Sequence, residues 1–327
     1  MEGNLGISRR RVAIGLGVSA AALAVPGLAK AQSGTIRIIF PYAAGGSGDA
    51  LCRLVADKMS ASLGQSVIVE DRTGGGGRIG VSAVKNAAPD GTTLLITPFA
   101  AMTIFPHAYR TLDYNPFTDF VPVSQLVTFD FGIAVGPAIS VQTPKELVAY
   151  LKANPRKAQY GSPGAGALPH FFGLQFGKAI GVEMTHIAYK GTAPALNDLV
   201  GGQIPMVSST VSDLLQLHKA GKIRLIATSG TERTELTPEV PTFKESGIDI
   251  VGTGWYGAFA PAKTPADVVA RLNKAMVEAV KSPDVRAKLV SYTFRPTATS
   301  SAELGRIQKA DSDQWGPVVK ASGFVAD

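Results

Sequence analysis

The strongest constraint in this chain is a junction in which a β-branched run, Thr35-Ile36-Arg37-Ile38-Ile39-Phe40, meets a glycine-rich turn and then an amphipathic helix. The turn reads Pro41-Tyr42-Ala43-Ala44-Gly45-Gly46-Ser47-Gly48-Asp49. From Asp49 onward, Leu51, Val55, Met59 and Leu63 fall on one helical face. Strand, tight turn and helix in that order build a βα unit, and further runs at Val67-Ile68-Val69-Glu70 and Thr93-Leu94-Leu95-Ile96 repeat the pattern. Alternation of this kind predicts an α/β fold with a mostly parallel sheet.

A second series of strands is expected at 131–135, 159–160, 184–188, 204–207 and 223–228. Helix starts between them are legible. Thr143-Pro144-Lys145-Glu146 and Thr264-Pro265-Ala266-Asp267 each set Thr at the N-cap, Pro at the first helical position and an acid two residues later. Ser282-Pro283-Asp284 opens a further helix, and 302–315 is helical by pattern. Two such series imply two doubly wound lobes with a cleft between them. A crossing near 121–130 and a return near 248–256 make the first lobe discontinuous: residues 32–126 with 252–327 form one lobe and 127–251 the other. Ligands of such folds sit at the strand C-termini and between the lobes.

The first residues read as an address. Ser8-Arg9-Arg10-Arg11 leads into an apolar stretch rich in Ala and Gly that ends at Ala29-Lys30-Ala31, an A-x-A cleavage pattern. The paired arginines predict a Tat-type signal peptide over residues 1–31 and export to the periplasm; an uncleaved anchor and a soluble N-terminal helix are the alternatives. The formal charge is +7 for the whole chain. Removing four cations (Arg9, Arg10, Arg11, Lys30) and one acid (Glu2) leaves +4. The bases are scattered, which is not a nucleic-acid footprint but suits a small anion. The single Cys52 precludes an intramolecular disulfide, and its place beside Leu51 predicts a small buried hydrophobe.

Two glycine-rich turns carry the functional expectation. Tyr160-Gly161-Ser162-Pro163-Gly164-Ala165-Gly166-Ala167-Leu168-Pro169-His170 repeats the layout of the first turn, one in each lobe. Backbone amides at the two helix starts can then grip one carboxylate. Ser47 or Asp49 is also a candidate N-cap, and His170 suits capping or packing better than catalysis. Gly75-Gly76-Gly77-Arg78-Ile79-Gly80 matches the dinucleotide pattern, but the end of the next strand, Ile96-Thr97-Pro98-Phe99-Ala100, has no acid for a ribose. A flexible cleft loop is expected there instead, and no cofactor. A hydrolase elbow around Ser162 fails because Tyr160 stands where its first glycine belongs. The histidines at 107, 170, 186 and 218 have no metal-ligand spacing. Asp198, Glu183 and Asp213 nominate no acid–base pair, and Trp255-Tyr256 either touches ligand or packs the hinge.

Several segments together resemble the solute receptors of tripartite tricarboxylate transporters, the Bug-type proteins. They are the turn at 41–49, the stretches Glu70 to Gly80 and Pro89-Asp90-Gly91-Thr92-Thr93-Leu94-Leu95, the turn at 160–170, Ala188 to Leu196, Pro238-Glu239-Val240-Pro241-Thr242, and Gly254 to Pro261. The resemblance implies a type II periplasmic binding-protein fold, no catalysis, and a monomer that hands a small organic carboxylate to membrane transporter subunits. It places ligand contacts at Tyr42, Ala44, Gly45, Gly46, Ser47, Gly48 and Asp49 in one turn and at Ser162, Gly164, Ala165, Gly166, Ala167 and His170 in the other, with Thr97 at the end of the third strand. Where the family usually carries Pro-Pro, this chain has Ala43-Ala44, and Gly48 stands for a usual Thr; a less polar or aromatic carboxylate follows. The alternatives at this point are a Tat-exported oxidoreductase using a nicotinamide cofactor and a periplasmic sensor reporting to a kinase.

Overall fold

The computed structural model describes residues 34–326. The expected signal peptide at 1–31 lies outside them. No helix among the described residues is long and apolar enough to cross a membrane.

The chain opens with β1 (Ile36–Phe40), α1 (Ser47–Leu63), β2 (Val67–Asp71), α2 (Arg78–Lys85) and β3 (Thr93–Pro98). Strand β1 lies between β2 and β3, parallel to both. All its side chains except those of Arg37 are buried, as expected of a strand covered on both faces. Two single-turn helices, α3 (Ala100–Thr103) and α4 (Phe105–Ala108), lead into the 16-residue strand β4 (Phe120–Val135). Next come α5 (Pro144–Ala153), β5 (Gln159–Ser162), α6 (Leu168–Ile180), β6 (Thr185–Ala188), α7 (Thr192–Val200), β7 (Met206–Thr210), α8 (Val211–Lys219) and β8 (Arg224–Thr228). The chain then returns through β9 (Thr253–Pro261), α9 (Ala266–Lys281), α10 (Pro283–Ser291), β10 (Arg295–Pro296) and α11 (Ser301–Ala321).

The sheet is mixed rather than mostly parallel, with the order β2-β1-β3-β9-β4-β7-β5-β6. Its two flanks, β2-β1-β3 and β7-β5-β6, are parallel as the βα pattern requires. Its centre is antiparallel because one strand carries the chain out of the first series and another carries it back. Residues Phe120–Asp130 of β4 pair with β9, whereas Phe131–Val135 pair with β7 and β8. One strand thus belongs to both halves of the sheet.

Local chemistry explains most boundaries. Thr143 caps α5 by accepting from the Glu146 amide, with Pro144 at the first helical position. Ser282 is the N-cap of α10, although its hydroxyl donates to the Ala279 carbonyl instead. Helix α9 starts one residue later than its sequence suggests: Pro265 is the N-cap, and the Thr264 hydroxyl donates back to the Pro261 carbonyl. Cys52 is fully buried on α1, and burial pushes its thiol well above the usual range.

Candidate ligand-binding cleft

Four helices begin at one cleft. Ser47 and Gly48 of α1, Leu168 and Pro169 of α6, Thr192 and Ala193 of α7, and Asp213 of α8 with its cap Thr210 all line it. The amides of a first helical turn have no acceptor inside the helix and give that end a partial positive charge. Helices α1, α6 and α7 are preceded by Gly46, Ala167 and Gly191, none of which supplies a side-chain cap. Their first-turn amides therefore face the cleft uncapped by their own chain ends. The cavity measures about 120 Å³, room for on the order of ten water-sized groups. That is the size of a small organic acid.

The cleft already contains one carboxylate. Asp213 Oδ1 accepts from the Ser47 amide at 3.3 Å and from the Ser47 hydroxyl at 2.9 Å. Its other oxygen accepts from the Thr192 hydroxyl at 3.0 Å. Asp213 lies in the first turn of α8, whose cap is Thr210, so it sits at the positive ends of α1, α7 and α8 together. Lys190, exposed at the start of the α7 turn, is the one cation among the described lining residues.

The remaining wall is made of rings. Phe40, Phe129 and Tyr256 pack with tilted rings, Phe40–Tyr256 centroids 6.3 Å apart and Phe129–Tyr256 centroids 5.1 Å apart; Phe131 meets Phe129 edge-on at 5.4 Å. Burial raises the Tyr256 phenol well above its usual range, and the charge of Asp213 adds to the effect. Gly48 is required beneath it, because a Cβ there would stand 2.6 Å from the Tyr256 hydroxyl and 2.7 Å from Phe40. Tyr42 lines the entrance and donates to the Gly76 carbonyl at 3.2 Å. The Gly75–Gly77 segment, expected as a flexible loop, is a 3₁₀ turn of left-handed glycines closing against Tyr42 and Tyr109.

Of the residues singled out from sequence, Tyr42, Ala44, Gly46, Ser47, Gly48 and Ala167 line the cleft. Gly45, Asp49, Thr97, Ser162, Gly164, Ala165, Gly166 and His170 are not among its lining residues. Asp49 is not a helix cap; its carboxylate accepts from the Gly45 amide at 3.0 Å and pairs with Arg53 at 2.8 Å, which fixes the turn. Ser47 does not cap α1 either, since Gly46 holds that position. The Thr97 hydroxyl is buried and turns to the Pro98 carbonyl. In the second turn the Ser162 hydroxyl points inward, 3.2 Å from the Gly164 carbonyl and 2.7 Å from His186 Nε2. His170 Nδ1 accepts from the Gly166 amide, and its ring stacks on His186 at 3.9 Å with Phe324 edge-on at 4.6 Å. Ala165 lies beside Gly76, its carbonyl 3.9 Å from where a Cβ there would sit. His170 is thus a packing and turn-fixing residue. Trp255 packs on Phe99 and donates to Asp311 at 2.6 Å, while its neighbour Tyr256 faces the cleft.

Sequence reading missed the α7 and α8 starts. Tyr189-Lys190-Gly191-Thr192 is itself a strand–glycine–helix junction, and Thr210-x-x-Asp213 has capping-box spacing; both signals were present. The ring wall had no comparable signal, because its members come from β1, β4 and β9. No cluster of metal-ligating side chains occurs among the described residues.

A family model described as the tripartite tricarboxylate transporter family receptor matches residues 51–324. A protein encoded in the gbd 5′ region of Cupriavidus necator is 35% identical over 324 residues, 98% of this chain and 96% of its own. The structure of the periplasmic binding protein BugD superposes with a TM-score of 0.85 at 31% identity, covering 90% of this chain and 99% of its own. Two structures from Rhodopseudomonas palustris are also similar. Rpa4515 with adipate has a TM-score of 0.87 at 29% identity, covering 90% of this chain and 99% of its own. MatC with bound malate has a TM-score of 0.82 at 28% identity, covering 87% and 98%.

Proposed function

The chain belongs to the tripartite tricarboxylate transporter receptor family, and from that premise we propose that its cleft captures a small organic carboxylate in the periplasm and presents it to a membrane transporter. It has the two-lobe α/β architecture of periplasmic binding proteins, and it is a solute receptor of the carboxylate-binding kind. The family and its structural neighbours are binding proteins rather than enzymes, and the protein acts as a monomeric carrier that leaves its ligand unchanged.

The observation that carries this reading is the convergence of the α1, α6 and α7 starts on a cavity of small-ligand size. The α6 and α7 starts have no side-chain cap, so a carboxylate there accepts hydrogen bonds from their amides without a dedicated arginine, and Lys190 supplies positive charge at the rim. The lobes are 32–126 with 252–327, and 127–251. The change of partners along β4 between Asp130 and Phe131 supports a crossing within this strand, although Val127–Asp130 still pair with β9 of the first lobe. Helix α1 then comes from one lobe and α6 and α7 from the other, so a ligand touching all three favours the closed arrangement.

Thermal unfolding with a panel of mono- and dicarboxylates, aromatic acids and amino acids tests the proposal. A ligand at about 100 times its Kd adds roughly 2.7 kcal/mol to unfolding stability and raises Tm by several degrees. A panel without a single such rise overturns it.

A further inference from the structure

We propose that Asp213 limits the cleft to ligands with one negative charge, so that the solute is a monocarboxylate whose apolar body lies on the Phe129–Tyr256 wall. The inference rests on the cleft being a carboxylate site and goes on to name the class of carboxylate.

Three observations carry it. Asp213 and Lys190 are the only charged side chains among the described residues that line the cleft, so the lining is balanced before any ligand enters. Asp213 has already taken the Ser47 amide and hydroxyl and the Thr192 hydroxyl, which are donors that a second ligand carboxylate would need. Opposite these polar groups the lining includes the ring wall of Phe40, Phe129, Phe131 and Tyr256, which rewards apolar area and whose one polar group is the Tyr256 hydroxyl. A dicarboxylate would bring a second negative charge into a lining whose one cation among the described residues is Lys190, and carboxylates held close together repel. MatC and Rpa4515 were solved with malate and adipate, each carrying two carboxyl groups. The present chain therefore departs from those relatives in the charge it accepts. Each oxygen of Asp213 already accepts from within the chain, which leaves less of it for a ligand ammonium.

Calorimetric titration of the purified protein with two matched pairs decides the matter. Hexanoate and adipate differ by one carboxylate, and 3-phenylpropanoate and phenylalanine differ by one ammonium. The expected result is hexanoate or 3-phenylpropanoate binding at least tenfold tighter than adipate and phenylalanine. Asp213→Asn should then tighten adipate at least tenfold and shift hexanoate less than threefold; Asp213→Ser replaces it should the Asn variant not fold. Adipate binding the wild-type protein as tightly as hexanoate overturns the charge limit and leaves the receptor reading intact. Phenylalanine binding tighter than 3-phenylpropanoate overturns it in the other direction, making Asp213 an ammonium acceptor. Failure of all four acids, together with a silent thermal panel, removes the carboxylate reading itself.

Discussion

Ser47 gives both its backbone amide and its hydroxyl to a single oxygen of Asp213, a residue 166 positions further along the chain. The pair ties the start of α1 to the start of α8 across the cleft. A hydrogen bond to a charged, part-buried acceptor contributes about 1.5–3 kcal/mol, and Ser47→Ala removes one of two. Urea unfolding of Ser47→Ala is expected to show a loss of about 1.5 kcal/mol with an unchanged slope. A loss below about 0.3 kcal/mol would mean that the tie is not held in solution.

Gly48 is the position where the cleft floor tolerates no side chain. A Cβ would meet the Tyr256 hydroxyl at 2.6 Å and the Tyr256 and Phe40 ring carbons at 2.8 and 2.7 Å. Overpacking of this kind costs about 1–3 kcal/mol, so Gly48→Ala should lower Tm and weaken ligand binding together. Adding Tyr256→Phe removes the nearest clashing atom and should recover part of both. Absence of any recovery in the double variant would place the strain elsewhere.

Burial lowers His170 to about 4 and His186 to about 3, from an ordinary 6.5, and for His186 repulsion from the neighbouring His170, on which it stacks, adds to the effect. Both are neutral in the folded protein, while the unfolded chain takes up their protons below pH 6.5. The stability they allow is therefore complete above about pH 6.5 and is lost as pH falls through the folded values. For His170 the loss reaches on the order of 3 kcal/mol by pH 4. Urea midpoints measured from pH 7 to pH 4 should fall steadily, and His186→Gln should flatten the slope. A midpoint constant to pH 4 contradicts the buried neutral pair.

Asp130 sits where β4 changes partners and is almost fully buried, held by two bonds from the Arg295 guanidinium at 3.0 and 2.5 Å. Arg295 is half exposed, so water reaches one side of the pair and the interaction is weaker than in a fully enclosed one. Arg295→Met strands the carboxylate and should cost about 2 kcal/mol. Asp130→Asn in the same chain removes the stranded charge and should restore at least half of that in chemical denaturation. Equal stability of the wild type and Arg295→Met would show that the ion pair contributes nothing.

The first βα series was legible because its strands carry the Val, Ile and Leu runs that a doubly covered parallel strand needs. Strand β9 was not, because Gly254-Trp255-Tyr256-Gly257-Ala258-Phe259-Ala260-Pro261 lacks such a run. The structure supplies the reason. Gly254 lies under Phe129 and Phe131, and Gly257 under Trp255 and Phe259, so bulky rings cross the strand where its own side chains are absent. The first half of β4 was hidden for a related reason: Val121-Pro122-Val123-Ser124-Gln125 contains Pro122 and two polar residues, and its register against β9 shifts at Pro122/Ser124. At the cleft, the glycine turns announced α1 and α6 by local pattern. The partnership of Asp213 with Ser47 depends on a contact between distant segments, and spacing along the chain holds no trace of it.

Cys52, the single thiol of the chain, is enclosed on α1 with its proton held firmly by burial. Such a group is a poor nucleophile. Cysteines engineered at two surface positions on either side of the cleft would therefore be the sole targets of a maleimide dye. The native sequence is already a clean background for following the separation of those positions by fluorescence energy transfer, with no residue to be removed first.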